Sequence, residues 1–293
     1  MTIQAALEDF IMEQKFRGNT LKTQIYYQQS VMRFINYAGG YREVGSVGIP
    51  LLREYYVQLT QEGLSSNSTQ TYLRALRTFL SYCFEQGYVE NDLSSKFKLP
   101  KAKRMELDVL SDAEVQRLLN GFDLRRELHL RNYCICALMI DSGLRMNEVV
   151  TLRCSKLKLA EGYAIVDGKG NKQRAVPLGR NTQRALGEYL NRRPASSSAF
   201  VFLMPNRKPI TINSVKQMFQ ALKGSRGIPR LHAHLLRHTF ATRFLENGGD
   251  MYTLQQILGH TSLEMVKRYV HTNHQRMIPR FSKFSPLDNL NGE

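Results

Sequence analysis

The chain has 293 residues, 42% of them hydrophobic and 23% charged, a composition typical of a globular protein large enough for two domains. It has no run of eighteen apolar residues, and its first twenty residues include acidic side chains and no long apolar core. We therefore expect a cytoplasmic protein without a membrane span or signal peptide. The formal charge of +16, most of it in residues 106–293, favours nucleic acid as the partner, with a merely solvated basic surface as the alternative.

Residues 1–95 are predicted to form a small helical bundle. The spacing of apolar residues and of turn residues indicates four helices, over about 3–16, 20–37, 50–62 and 66–85. Thr20 is expected to cap the second helix, and Pro50 is a favoured first-turn residue for the third. Short loops between consecutive helices are typical of a bundle.

The fourth helix carries an apolar stripe that we expect to face the core. The stripe consists of Leu73, Leu76, Phe79, Leu80 and Phe84. Arg74 and Arg77 lie beside it. They either reach a phosphate backbone or are plain solvated arginines, and both interpretations stay open at this point.

A strongly basic segment follows the bundle. Residues 96–104 hold five basic side chains around Pro100 and show no hydrophobic period. These side chains are Lys96, Lys98, Lys101, Lys103 and Arg104. We predict an extended linker over 96–107 that lies along a phosphate backbone, with a solvated linker as the alternative.

The second domain is predicted to begin with a capping box formed by Ser111 and Glu114. A long apolar helix follows over about 129–142 and is closed by Gly143. Its two cysteines, like the other two in the chain, fit no disulfide framework and are expected to be small buried hydrophobes in a reducing compartment. The next helix starts near Arg145, which is either held rigidly for function or engaged in a structural ion pair with Glu148.

The pattern then changes to short β-prone runs. Residues 157–178 predict a small antiparallel sheet with a tight turn at 168–171. Lys169 stands between two glycines at that turn, where a backbone can approach closely and bring the ammonium into a groove. Helices are expected over about 182–192 and 211–222.

Residues 232–271 concentrate the chemically useful side chains. His234 and Arg237 are three apart in a helix predicted over 232–246, so both can point at one substrate group. Asp250 or Thr253 is expected to cap the next helix. A further capping box starts a short helix that holds Lys267, Arg268 and Tyr269. Beyond it, an apolar tail contains Ile278, Phe281, Phe284 and Leu287.

These side chains match what cleavage of a phosphodiester needs without a metal. Arginine forks bind nonbridging oxygens, a lysine protonates the leaving oxygen, and a histidine activates the nucleophile. The candidates are Arg145, Lys169, His234, Arg237, His260 and Tyr269. No acidic metal-ligand cluster is visible, and the histidines His234 and His238 lack the glutamate of a zinc motif, so we expect no metal and no cofactor. His232, His238 and His271 are expected to pack or to form hydrogen bonds, and a position near the site stays open for them.

Five motifs, in order, resemble the tyrosine recombinase (phage integrase) family in its compact Xer-like form. They are Ser142–Glu148, Gly168–Lys172, His234–Thr242, Leu258–His260 and Arg268–His271. The resemblance implies a mainly α fold with a small antiparallel sheet in the second domain. It also implies a helical core-binding domain at 1–95, a linker at 96–107, a catalytic domain at 108–277 and a tail at 278–293 that is exchanged between protomers or folds back.

The resemblance also implies a role for each matching residue. Tyr269 is the expected nucleophile and forms a 3′-phosphotyrosyl link. Arg145 and Arg237 clamp the scissile phosphate, and Glu148 supports the first of them. The remaining roles are Lys169 as general acid, His234 as general base, and His260 as hydrogen-bond donor to a nonbridging oxygen.

The function implied is site-specific DNA recombination on paired double-stranded sites by a homo-tetramer, without metal or ATP. Leu235 stands where Xer proteins usually have Asp, which favours integration, excision or resolution of a mobile element over dimer resolution. A non-catalytic DNA-binding regulator and a type IB topoisomerase-like enzyme are the alternatives. Further DNA contacts are expected at Arg74, Arg77, Lys96, Lys98, Lys101, Lys103, Arg104, Lys172, Arg174, Lys267 and Arg268.

Overall fold

The computed structural model describes residues 1–100, 108–168, 173–193, 198–259, 262–267 and 269. The chain divides into two compact units, residues 1–105 and 106–293. Among the described helices, none is long and apolar enough to cross a membrane.

The first unit is helical, as predicted. Its helices are α1 (Ile3–Phe16), α2 (Leu21–Ala38), α3 (Ile49–Gln61), α4 (Ser66–Glu85) and α5 (Leu93–Lys96). The predicted caps are confirmed: the Thr20 hydroxyl accepts a hydrogen bond from the Thr23 N–H, and Pro50 stands in the first turn of α3. The bounds of the four longer helices agree with the prediction to within one or two residues.

The apolar stripe of α4 forms part of the first unit's core, with one exception. Leu73, Leu76 and Phe79 are fully buried, but Phe84 is 42% exposed, so its predicted core position is wrong. Tyr82 and Cys83 are buried in the last turn instead. The Tyr82 hydroxyl donates to the Asp9 carboxylate and so joins the end of α4 to α1.

The segment expected to begin the linker is partly structured. Lys96 ends α5, Phe97 is only 5% exposed in the core of the first unit, and Leu99 packs against that core. Residues 96–100 are therefore not the free extended linker that we predicted, because two apolar side chains among the lysines hold the segment down. The expected contacts at Lys101, Lys103 and Arg104 lie outside the described residues.

The second unit combines helices with one small sheet. Its elements are α6 (Asp112–Asn120), α7 (Glu127–Asp141), α8 (Met146–Val150), β1 (Leu157–Lys158), β2 (Tyr163–Asp167), β3 (Gln173–Pro177), α9 (Arg180–Arg192), α10 (Ile212–Arg226), α11 (Ala233–Glu246), α12 (Met251–Leu258) and α13 (Glu264–Lys267). The predicted capping box at the start of α6 is present. Tyr269 follows α13 in a turn, so the prediction that this helix includes it is wrong.

The three strands form the predicted antiparallel sheet in the order β1-β2-β3. Ala164 pairs with Val176 across β2 and β3, and both side chains are buried. Because strand side chains alternate between faces, Arg174 and Val176 share the inward face of β3. The turn with Lys169 and Lys172 lies outside the described residues.

Helix α7 lies in the core of the second unit, and Arg145 follows shortly after its end. Its Cys134 and Cys136 are fully buried, as predicted, and burial raises the pKa of the Cys136 thiol to about 12. Gly143 ends this helix with φ +66°, and a Cβ there would lie 2.5 Å from the Phe240 ring of α11. Only glycine permits this close approach, which brings the start of α8 against α11.

Candidate active site

Arg145 and Glu148 form the first part of the site. The Arg145 N–H donates to one Glu148 carboxylate oxygen at 2.8 Å, and the Arg145 guanidinium donates to the other at 2.9 Å. The predicted ion pair is therefore present. It leaves 33% of the Arg145 side chain exposed, so the pair holds the guanidinium at the surface instead of removing it from solvent.

Glu148 is buried and lies next to three arginines. It is 3% exposed, it accepts from Arg145, and it accepts from both terminal nitrogens of Arg174 at 2.8 and 2.9 Å. Arg237 Nη1 lies 4.0 Å from the same carboxylate. Burial opposes ionisation, but hydrogen bonds from Arg174 and the Arg145 N–H outweigh it and hold the pKa of Glu148 below its ordinary value. The carboxylate is thus charged at neutral pH.

Arg174 is a structural partner of the site, and its expected contact with DNA stays a prediction. Only 12% of its side chain is exposed, and its Nε also donates to the Ile257 carbonyl at 2.6 Å. The side chain therefore ties β3 to Glu148 and to the end of α12. Its inward position on β3, shared with Val176, was the sequence signal for a role inside the protein.

Arg237 is fixed by backbone carbonyls. It is 4% exposed and donates to the carbonyl of Gly143 and, at 2.7 Å, to that of Leu258. Burial, assisted by the charge of Arg145 and opposed by that of Glu148, lowers the pKa of Arg237, although guanidinium remains protonated at neutral pH. One side chain thus joins α11 to the turn before Arg145 and to the end of α12.

His234 lies one turn before Arg237 on α11 and is exposed on the surface of the unit. Partial burial, together with the positive charges of His232, Arg237 and Arg145, lowers the pKa of His234. Its imidazole is therefore neutral at pH 7 and able to accept a proton. Its role as general base remains a prediction.

The phenol of Tyr269 contacts His238, which agrees with the hydrogen-bonding position near the site considered for this histidine. Tyr269 is 6% exposed, and its hydroxyl lies 3.0 Å from His238 Nδ1, with ring centroids 5.6 Å apart. Tyr269 is also close enough to Arg237 to influence it electrostatically. The i, i+4 relation of His238 to His234 was the signal that could have placed His238 at the site.

Several other candidate residues belong to parts of the chain that the structure does not describe. These candidates outside the described residues are Lys169, Lys172, His260, Arg268 and the side chain of Lys267. In the first unit, exposed basic side chains are present at Arg74, Arg77, Lys96 and Lys98. Within the described ranges, no three His, Cys, Asp or Glu side chains cluster closely enough to hold a metal ion.

Comparison with known proteins agrees with this architecture. The sequence profile of the phage integrase family matches residues 108–276. The tyrosine recombinase XerD of Listeria monocytogenes serotype 4b (strain F2365) is 30% identical over 96% of this chain and 98% of its own length. The tyrosine recombinase XerC of Bacillus pumilus (strain SAFR-032) is 28% identical over 96% of this chain and 94% of its own.

Solved structures share the fold. The Tn1549 transposon integrase in complex with a circular intermediate DNA has a TM-score of 0.81 at 18% identity, covering 97% of this chain and all of that chain. The XerH recombinase bound to palindromic difH substrate has a TM-score of 0.75 at 24% identity, covering 95% and 84%. The mainly helical fold with a three-stranded antiparallel sheet is confirmed.

Proposed function

This chain belongs to the phage integrase family and is a site-specific DNA recombinase, and from this we propose that Tyr269 cuts and rejoins double-stranded DNA with the help of Arg145 and Arg237. The observation that supports the proposal most is the group of three arginines around buried Glu148, next to a tyrosine phenol. Three positive charges against one negative charge leave the group net positive, which suits a phosphate.

In the proposed reaction, the phenol oxygen of Tyr269 attacks the scissile phosphorus as the phenolic proton passes to a histidine base. A bond forms between this oxygen and phosphorus while the bond from phosphorus to the 5′-oxygen breaks. The products are a 3′-phosphotyrosyl link and a DNA end with a 5′-hydroxyl, which receives its proton from Lys169. The phosphotyrosyl link retains the energy of the phosphodiester, so a 5′-hydroxyl from another strand can reverse the step without ATP.

The arginines are proposed to stabilise the charge that develops on the nonbridging oxygens. Arg237 is held by two backbone carbonyls and Arg145 by Glu148, so their donors are in place before DNA arrives and need little reorganisation. The exposed part of Arg145 is available to the phosphate. We also place neutral His234 at the phosphate, where its ring can form a hydrogen bond without adding charge.

Trapping of the covalent intermediate tests the proposal. A nicked suicide DNA site should give an adduct that resists SDS, and Tyr269→Phe should abolish the adduct while DNA binding persists. Tyr252→Phe is the matched control, because Tyr252 is 67% exposed and should form the adduct like the parent protein. An adduct that persists in Tyr269→Phe would place the nucleophile elsewhere. DNA binding by a parent protein that forms no adduct would favour the non-catalytic regulator.

We further propose paired double-stranded sites and a tetramer on DNA, because exchange of four strands needs four nucleophiles. The biological role is proposed to be movement or resolution of a mobile element. Leu235 supports this reading: where Xer proteins usually have Asp, this chain has a leucine that is 1% exposed in the core. The likeness to the Tn1549 transposon integrase is in keeping with this role. Complementation of a host that lacks its own dimer-resolution recombinase would instead favour Xer-type resolution.

A further inference from the structure

We infer that His238 takes the phenolic proton of Tyr269 during attack on DNA and returns it when the strands are rejoined. The inference rests on the proposed function, because it requires Tyr269 as the nucleophile. It differs from the expectation drawn from the motifs, which gave the role of general base to His234.

The geometry around the phenol supports His238. A general base must lie within hydrogen-bond reach of the proton that it removes, and His238 Nδ1 lies 3.0 Å from the Tyr269 hydroxyl. The Tyr269 N–H donates to the Val266 carbonyl at 2.9 Å, which fixes the turn that presents the phenol. Because Tyr269 is only 6% exposed, water has little access to the hydroxyl, and a protein group is better placed to take the proton.

The position of His234 makes it less suited to this task. It lies one turn earlier on α11, its ring centroid is 6.4 Å from that of His238, and it is exposed beside the charges of Arg145 and Arg237. His238 already contacts the phenol and needs no rearrangement to accept its proton. The two imidazoles therefore have different roles, with His234 at the phosphate and His238 at the nucleophile.

Every proton transferred in the step has a donor and an acceptor. The step requires His238 in its neutral form with the hydrogen on Nε2, so that Nδ1 accepts the phenolic proton as the Tyr269 oxygen bonds to phosphorus. The electron pair of the broken bond leaves with the 5′-oxygen, which Lys169 protonates. During rejoining, the incoming 5′-hydroxyl returns its proton to Lys169, and the imidazolium returns its own proton to the departing phenolate.

The test compares substitutions of two histidines in the full-length protein. His238→Asn keeps a polar atom near the position of Nδ1, so it preserves a hydrogen bond to the phenol but cannot carry a proton at neutral pH. We expect single-turnover adduct formation on the nicked site to fall by ~10²–10⁴-fold, with unchanged DNA binding. His129→Asn is the control, because the His129 ring on α7 accepts a hydrogen bond from the Asp123 N–H at 3.2 Å and contacts none of the site residues, so it should react at the parent rate.

A second measurement separates proton transfer from positioning. Site-specific replacement of Tyr269 by a ring-fluorinated tyrosine makes the phenol more acidic and reduces its need for a base. Fluorination should therefore restore much of the lost rate in His238→Asn and change the parent rate little. If His238→Asn does not fold, His238→Gln takes its place, with melting curves and DNA binding as checks on the fold.

The outcomes are distinguishable. A parent-like rate for His238→Asn would overturn the inference and leave His238 as a packing residue. A reduced rate that fluorination does not improve would also overturn it, because His238 would then only orient the ring. Absence of a Tyr269-dependent adduct in the parent protein would instead contradict the proposed function.

Discussion

Removal of the Arg174 side chain should destabilise the second unit strongly. Arg174→Met keeps the aliphatic part of the side chain but removes two hydrogen bonds to Glu148 and one to the Ile257 carbonyl. The carboxylate of Glu148 then stays buried after losing its bidentate partner. Breaking a buried ion pair in this way costs about 3–5 kcal/mol of unfolding free energy.

Calorimetry of the full-length protein measures this change. For a unit of this size, each kcal/mol lowers the melting temperature by about 2–4 °C, so the transition of the second unit should fall by about 6–20 °C. Glu188→Gln is the control, because its ion pair with Arg192 is an exposed helical contact that contributes less than about 1 kcal/mol.

The destabilisation should also depend on pH. The lowered pKa of Glu148 means that its ionised form stabilises the native state above its ordinary pKa, and that this stabilisation is lost as pH falls through the lowered value. Without Arg174, Glu148 loses the largest interaction that lowers its pKa, so its pKa in the variant should lie above that in the parent protein. The parent and the variant should therefore differ most near pH 7 and converge in acid. A shift below about 2 °C, or one independent of pH, would refute the buried ion-pair reasoning.

Three further predictions follow from the proposed chemistry. Arg145→Ala and Arg237→Ala should each slow cleavage by ~10²–10³-fold, and lysine at either position should restore the rate only in part. EDTA should have no effect on cleavage, and inhibition by EDTA that magnesium reverses would contradict the mechanism. Lys169→Ala should cleave a 5′-bridging phosphorothiolate almost normally while being slow on ordinary DNA, because sulfur leaves without a proton; equal slowness on both would contradict the role of acid. Truncation after Met277 should spare single-site binding but prevent tetramer formation on two-site DNA, and normal tetramers would show that the tail is not exchanged.

The helices and the sheet were predictable because their signals are local. The Ser111 hydroxyl and the Glu114 side chain satisfy each other's backbone N–H groups within a single turn. Asp250 caps α12 through the N–H groups of Tyr252 and Thr253 in the same way. Such bonds join residues two or three apart, so the order of residue types is sufficient to locate them. Phe84 shows the limit of this approach, because it continues the apolar stripe of α4 in sequence but is 42% exposed in the structure.

Arg145, Arg237 and the supporting Glu148 were predicted from the motifs, but the contact between Arg174 and Glu148 was not. Arg174 and Glu148 are 26 residues apart in sequence, and no local rule says that the inward face of β3 meets the start of α8. In a chain with a charge of +16, a basic residue is easily assigned to DNA. The structure adds a role inside the protein for Arg174, since three of its hydrogen bonds go to Glu148 and the Ile257 carbonyl.

The two histidines of α11 illustrate how structure refines a motif. Helical spacing shows that His234, Arg237 and His238 can act near one another, but the partner of each ring is set by Tyr269, which arrives from 31 residues further along the chain. The phenol of Tyr269 meets the imidazole of His238 next to buried Arg237, and the imidazole of His234 is exposed at the surface of the unit. The proposed reaction has two requirements, a base in contact with the nucleophile and a neutral hydrogen-bonding group beside Arg145 and Arg237. Two histidines one turn apart can satisfy both.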